Sequence, residues 1–249
     1  GGFLAELFGY PIVFVVGAGF ALVAAVVVIA FTHNIRPRRM SDATVLTVIG
    51  RILSGNRQLF ATAGFAALTI QLMRATQQLL VPLFGAQIGL DIATIGFIYS
   101  LCAALDISLF YPVGVVMDRW GRKWTGVPSM LVFVSGLILL PFAQGFYGLL
   151  GAGLVLAFAN GLSTGIVMIV GMDMAPPDQR GQFLGVWRLL GDLGVVSGPL
   201  VAGVLVNVAT LGVASFAVAG LGLLGAGSFL FLVPETRRHA SDVESLSTG

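Results

Sequence analysis

Seven long apolar stretches dominate the chain, at roughly 11–32, 58–84, 92–117, 124–143, 146–170, 182–206 and 211–233. A helix needs about 20 mostly apolar residues to cross a hydrocarbon layer roughly 30 Å thick. Barrel strands would be about 10 residues long with alternating polarity, and these stretches do not alternate. Only helices and closed barrels satisfy the backbone in lipid, so the pattern predicts seven membrane helices. Pro11 suits the first turn of the first, where its missing N–H does no harm. The expected fold class is an all-α integral membrane bundle.

Composition agrees: 57% of residues are apolar and 10% are charged, where soluble domains carry about 25% charged residues. The net charge of +2 is too small to suggest nucleic acid as a partner. Cys102 is the single cysteine, and the two histidines, His33 and His239, lie outside the apolar runs. No thiolate cluster, metal site or Ser/His or Cys/His catalytic set is therefore expected, nor any cofactor. An intramembrane enzyme is the reading this disfavours most.

Basic residues sort by connection. Arg36, Arg38, Arg39, Arg51 and Arg57 follow the first span; Arg119, Arg122 and Lys123 follow the third; Arg180 follows the fifth; Arg237 and Arg238 follow the last. The connections near 85–91, 144–147 and 207–211 contain neither Lys nor Arg. The positive-inside rule then predicts a cytoplasmic C-terminus in the plasma (cell inner) membrane, with Gly1 outside. The chain shows no basic segment ahead of its first apolar run, and Glu6 stands where a signal peptide would be positive. It opens on Gly1-Gly2-Phe3, as though inside a longer hairpin. The polar stretch 33–57 is the long connection and the expected domain boundary. Residues 1–32 then end one half, 58–233 form a six-helix half, and 234–249 form a polar tail.

Charged groups inside membrane spans are costly, about 2.5–3.5 kcal/mol each for Arg or Asp near the centre on the insertion scale, so their placement is informative. The second span carries Gln71, Arg74, Gln77 and Gln78; the third Asp106; the fifth Asn160, Ser163 and Thr164; the sixth Arg188 and Asp192. The first, fourth and seventh carry no charged or amide side chain. That period suggests two three-helix units, each with an outer scaffold helix. The four polar residues of the second span fall within about 120° of arc, and Tyr99, Cys102, Asp106 and Phe110 share a face of the third. Arg74 lies about 15 Å from the outer end of its helix and Asp106 about 21 Å from that of the next. A direct Arg74–Asp106 ion pair lining a midplane cavity is the expectation, against a purely structural buried pair. Arg188 has a local alternative, pairing with Asp192 one turn along its own helix.

Residues 114–123 read Gly114-Val-Val-Met-Asp118-Arg119-Trp-Gly121-Arg122-Lys123. This segment, between two membrane helices, resembles the signature cytoplasmic loop of the major facilitator superfamily of secondary transporters. Asp173-x-x-Pro176-x-x-x-Arg180-Gly181 resembles the acidic-to-Arg element of the equivalent loop in the next unit, and Pro234-Glu235-Thr236-Arg237 the ending after the last helix. Gly194-x-x-x-Gly198-Pro199 is similar to the Gly-Pro element of antiporter branches, and Phe8-Gly9-Tyr10-Pro11 to the outer end of helix five. The resemblance implies the C-terminal six-helix half plus one helix of the N-terminal half, with helices one to four as a missing partner. It also implies that Asp118, Arg119, Arg122, Asp173 and Arg180 belong to loops that hold the inner gate shut. From the residues alone, Gly114 and Gly121 suit close helix approach and a sharp turn.

Gly220-x-Gly222-x-x-Gly225 matches a dinucleotide fingerprint but sits inside an apolar span. Helix packing is the better reading there, as for Gly161-x-x-x-Gly165 and Gly194-x-x-x-Gly198. The function that follows is secondary transport of a small solute, with efflux by proton antiport preferred and Asp106 exchanging protons. A carboxylate in a dry cavity favours its proton, and one beside a guanidinium releases it. Uptake, facilitated diffusion of a sugar or metabolite, and a transport-inactive fragment or sensor use the same fold. The proton gradient stands in place of a cofactor. The remaining partners are the lipid bilayer and the solute.

Overall fold

The computed structural model describes residues 10–31 and 45–232. Expectations for the opening residues, for Arg36, Arg38 and Arg39, for both histidines and for the ending at Pro234–Arg237 lie outside the described residues. The same holds for the side chain of Asp118. Among the described residues every regular element is helical, and seven helices are long and apolar enough to span a membrane. They are α1 (Tyr10–Phe31), α3 (Arg57–Gln87), α4 (Ile92–Trp120), α5 (Lys123–Leu139), the α6–α7 pair (Gly145–Ser163 and Ile166–Met174), α8 (Arg180–Val208) and α9 (Leu211–Leu232). The 11-residue helix α2 (Val45–Gly55) precedes α3, inside the stretch that the apolar pattern leaves as a connection. Its Val48, Ile49 and Ile52 recur at helical spacing, and Ile52 is buried against the bundle.

α3 is the central helix. α8 and α9 pack along it, α6 touches it, and α5 and α9 pair with each other behind it. α4 leans on α6 and only lightly on α3. The α3–α8 crossing is close because of glycine: a methyl on Gly194 would overlap the Leu68 carbonyl oxygen, and one on Gly198 would lie 2.6 Å from that of Leu72. Gly222 and Gly225 on α9 likewise receive Met73 with Val134, and Met130 with Thr69. These are the small-residue contacts of membrane helices; the fingerprint-like glycines lie in a continuous helix with no strand before them.

The fifth apolar stretch is not one helix. It breaks at Thr164–Gly165, where Thr164 is extended (ψ 128°) and Gly165 has φ +81°. Side chains with a Cβ rarely adopt that φ, so the glycine permits the break. The Ser163 and Thr164 hydroxyls both donate to the Asn160 carbonyl at 2.9 Å, competing with the helical ladder just before the break. Gly161, one turn earlier, meets Leu109 of α4.

The helix ends divide into two sets. Arg57, Arg119, Arg122, Lys123 and Arg180 gather at what is here called the basic end, while the turns 88–91, 143–144 and 209–210 hold no basic residue. At the bare end Asp91 caps α4, accepting from the Thr94 N–H at 3.0 Å and the Thr94 hydroxyl at 2.6 Å. At the basic end Phe183 stacks on Trp187 and meets Phe60, with centroids 6.0 and 5.3 Å apart. The indole N–H of Trp187 donates to the Val167 carbonyl.

A candidate substrate and proton site

Three polar side chains from three helices meet inside the bundle. Arg74 of α3 donates its Nε–H to Oδ1 of Asn160 on α6 at 2.6 Å, and the Asn160 amide Nδ2 donates to Oδ2 of Asp106 on α4. The expected direct ion pair is therefore replaced by a bridge: no Arg74–Asp106 salt bridge exists among the described residues. The reason is chemical. A carboxamide offers an acceptor on one side and donors on the other, so it faces a cation and an anion together without carrying charge. Helical spacing located all three residues but did not order them.

Oδ1 of Asp106 is buried with no hydrogen-bond partner among the described residues, as are Oε1 of Gln77 and the Thr76 hydroxyl on α3. The terminal nitrogens of Arg74 make no hydrogen bond to a described residue. Arg74 and Asp106 thus keep an unused guanidinium edge and an unused carboxylate oxygen, groups able to bond a further polar partner.

The other expected cavity residues distribute unevenly. Gln71 packs at the α3–α8 crossing, near Gly191 and Gly194. Gln78 is exposed, and its backbone carbonyl accepts from the Tyr99 hydroxyl at 3.0 Å. Pro82 has no N–H to give the carbonyl four residues earlier, so Tyr99 fills a vacancy that Pro82 creates. Reading that proline against its i−4 partner would have found the free Gln78 carbonyl from sequence, though not the Tyr99 hydroxyl that meets it. Cys102 lies against Gly153 of α6. Ser163 is fully buried, and Ser163 and Thr164 spend their donors on Asn160. Arg188 and Asp192 pair with each other at 3.0 Å and stay exposed, at 77% and 51% of their side-chain surface, apart from the triad.

At the basic end, Arg122 pairs with Asp173 at 3.0 Å and also donates to the Met117 carbonyl. Lys123 donates to the Leu230 carbonyl at 2.8 Å, tying α5 to α9. Gly121 turns the chain with φ 100°. Gly114 has open space where a side chain would sit, so the expectation of a close approach at Gly114 is not met among the described residues. Arg119 and Arg180 are exposed and join no ion pair among the described residues; Arg122, not Arg119, reaches Asp173, and Arg180 stays outside that contact.

Residues 63–247 match the family model of the Major Facilitator Superfamily. The chain belongs to that superfamily. Seven apolar helices and a multi-pass membrane protein follow from the same fold. A probable quinate permease of Neosartorya fischeri is 37% identical over 114 residues, covering 45% of this chain and 20% of the relative. The MFS-type efflux transporter pyiT of Pyricularia grisea is 29% identical over 96 residues, 38% of the chain and 16% of the relative. A solute carrier family 2, facilitated glucose transporter member 10 of Xenopus tropicalis is 28% identical over 89 residues, 36% of the chain and 15% of the relative. The matches span a fifth or less of each relative's length. Two of these relatives carry names of solute transport, an efflux transporter and a quinate permease.

Proposed function

We propose that residues 58–233 form the C-terminal transport half of a proton-coupled carrier that moves a small solute outward across the plasma membrane. Asp106 is its proton-exchanging group, and a six-helix N-terminal half completes the cavity. The observation that carries this reading is the Arg74–Asn160–Asp106 bridge with its unpartnered Asp106 oxygen. A proton arriving on that oxygen leaves the Asn160 bond in place and changes the charge facing Arg74, which alters how strongly a solute is held. The exposed Arg188–Asp192 pair supports a completing half, since a charged pair facing hydrocarbon would be costly. Arg122–Asp173 serves as a gate contact at the basic end, and the sorting of basic residues supports placing that end, with the C-terminus, in the cytoplasm.

Uptake of a hydroxylated carboxylate is the second reading. It draws on the unused guanidinium edge of Arg74 and on relatives named quinate permease, at 33–37% identity. Everted vesicles containing the full-length carrier, energised to an acid interior, separate the two. A pH-gradient dye is followed while lipophilic cations, weak acids, sugars and quinate are added. Dequenching by one class, abolished by Asp106→Asn, is the result expected for efflux by antiport. Proton-driven quinate entry into right-side-out vesicles, without that dequenching, would overturn it in favour of uptake.

A further inference from the structure

Between the α2–α3 elbow and the last turn of α9 lies a cavity of about 460 Å³, lined by Ser54, Asn56, Arg57, Gln58, Thr62 and Leu232 among others. It is remote from the triad and no step of transport uses it. Most of its polar groups are already engaged with backbone. The Ser54 hydroxyl donates to the Arg51 carbonyl, the Asn56 amide to that of Ile52, and the Thr62 hydroxyl to that of Gln58. The donors that remain are the guanidinium of Arg57 and the amide of Gln58, neither of which bonds to a described residue. Arg57 is also the first residue of the spanning helix α3, so its charge sits at the basic end of the bundle.

Apolar surface adjoins the cavity. Leu53 and Leu46, seven residues apart on one face of α2, are 38% and 76% exposed, and Leu232 is 58% exposed. A cation with no partner among the described residues, beside exposed leucines, matches a ligand with an anionic head and apolar tails. We propose that the elbow cavity binds one anionic phospholipid from the leaflet at the basic end. Its phosphate sits on Arg57 and Gln58, and its chains lie over Leu53 and Leu232. Arg51 carries the same charge six residues earlier, on α2, but does not line the cavity, which supplies an internal control.

The test is lipid titration of the purified full-length carrier in mild detergent, with the lipid-bound fraction read by native mass spectrometry. Phosphatidylglycerol, phosphatidylcholine of the same acyl chains, and inorganic phosphate are the three probes. Phosphatidylglycerol should bind as a single tight equivalent and phosphatidylcholine should not. Arg57→Gln should weaken phosphatidylglycerol about fivefold or more, whereas Arg51→Gln should change it less than twofold. Arg57→Lys should keep most of the binding, which separates loss of charge from loss of fold. Equal effects of Arg51→Gln and Arg57→Gln would reduce the contact to general surface charge and overturn the site. Equal binding of both lipids would overturn it too. Saturation by inorganic phosphate alone, with no preference for the lipid, would make it a soluble-anion site instead.

Discussion

Asn160→Leu is the substitution that most directly probes the triad. It keeps the branching and heavy-atom count of the side chain while removing both the acceptor that Arg74 uses and the donor that Asp106 uses. Hydrogen bonds to charged groups contribute about 1.5–3 kcal/mol in proteins generally. Side-chain hydrogen bonds between membrane helices average about 0.6 and reach about 1.7 kcal/mol. Two charge-assisted bonds in part-buried surroundings place the expected loss near 2 kcal/mol. A cycle of Arg74→Gln, Asn160→Leu and the double variant should give a coupling of about 1 kcal/mol. Thermal unfolding in detergent by circular dichroism supplies the numbers. Labelling of Cys102, the single cysteine and half-buried, gives an independent readout. Arg74 and Asp106 should also be coupled to each other, and that coupling should fall when Asn160 is replaced. Additivity of Arg74 and Asn160 within about 0.3 kcal/mol would refute the bridge. So would an Arg74–Asp106 coupling that survives Asn160→Leu, because the pair would then be direct.

Gly194→Ala and Gly198→Ala should each destabilise by about 1–3 kcal/mol, because a backbone carbonyl of α3 cannot yield as a side chain does. On the same helix, Gly185 and Gly203 have open space, so their Ala variants should be neutral or gain up to about 1 kcal/mol; unfolding temperatures compare the four. Asp173→Arg should lower stability by about 1 kcal/mol, and adding Arg122→Asp should recover part of it, read in the same assay. The Thr94 hydroxyl and N–H hold the Asp91 carboxyl below its ordinary range. Its contribution is therefore present above the unfolded value, about 3.9, and is lost as pH falls through the lower folded one. Thr94→Val should return the Asp91 titration toward the ordinary value, measured by carbon NMR of the carboxylates.

The seven spans were legible because length and polarity alone decide what crosses lipid, and the described helix ends fall within a few residues of the apolar runs. Arg74, Asp106 and Asn160 were legible as polar residues too costly to sit in lipid without purpose. Their order was not, because helical spacing fixes the face of one helix and says nothing of which neighbour intervenes. The break at Gly165 was hidden for a related reason: hydropathy does not register a backbone dihedral, and Gly161 four residues earlier remains helical. The helix α2 was masked by Arg51 and the glycines around it, which lower average hydropathy while leaving the i, i+3, i+4 spacing intact. Gly114 shows the converse, a motif position whose local surroundings among the described residues do not need a glycine.

The bridge also has a consequence for how the chain is made. Asn160 is 86 residues downstream of Arg74 and 54 downstream of Asp106. At ribosomal speeds of about 5–20 residues per second, α3 and α4 emerge several seconds before the amide that satisfies both exists. α4 is the more vulnerable, since it packs mainly on α6, the very helix that is late. During that interval Asp106 must remain at the insertion machinery or keep water with it. Nascent chains ending before residue 160 should therefore integrate α4 less completely than chains ending after α7, when scored by glycosylation of an engineered site in the connection after α4, which reaches the outer side only when α4 fails to cross. Asp106→Leu should erase the difference.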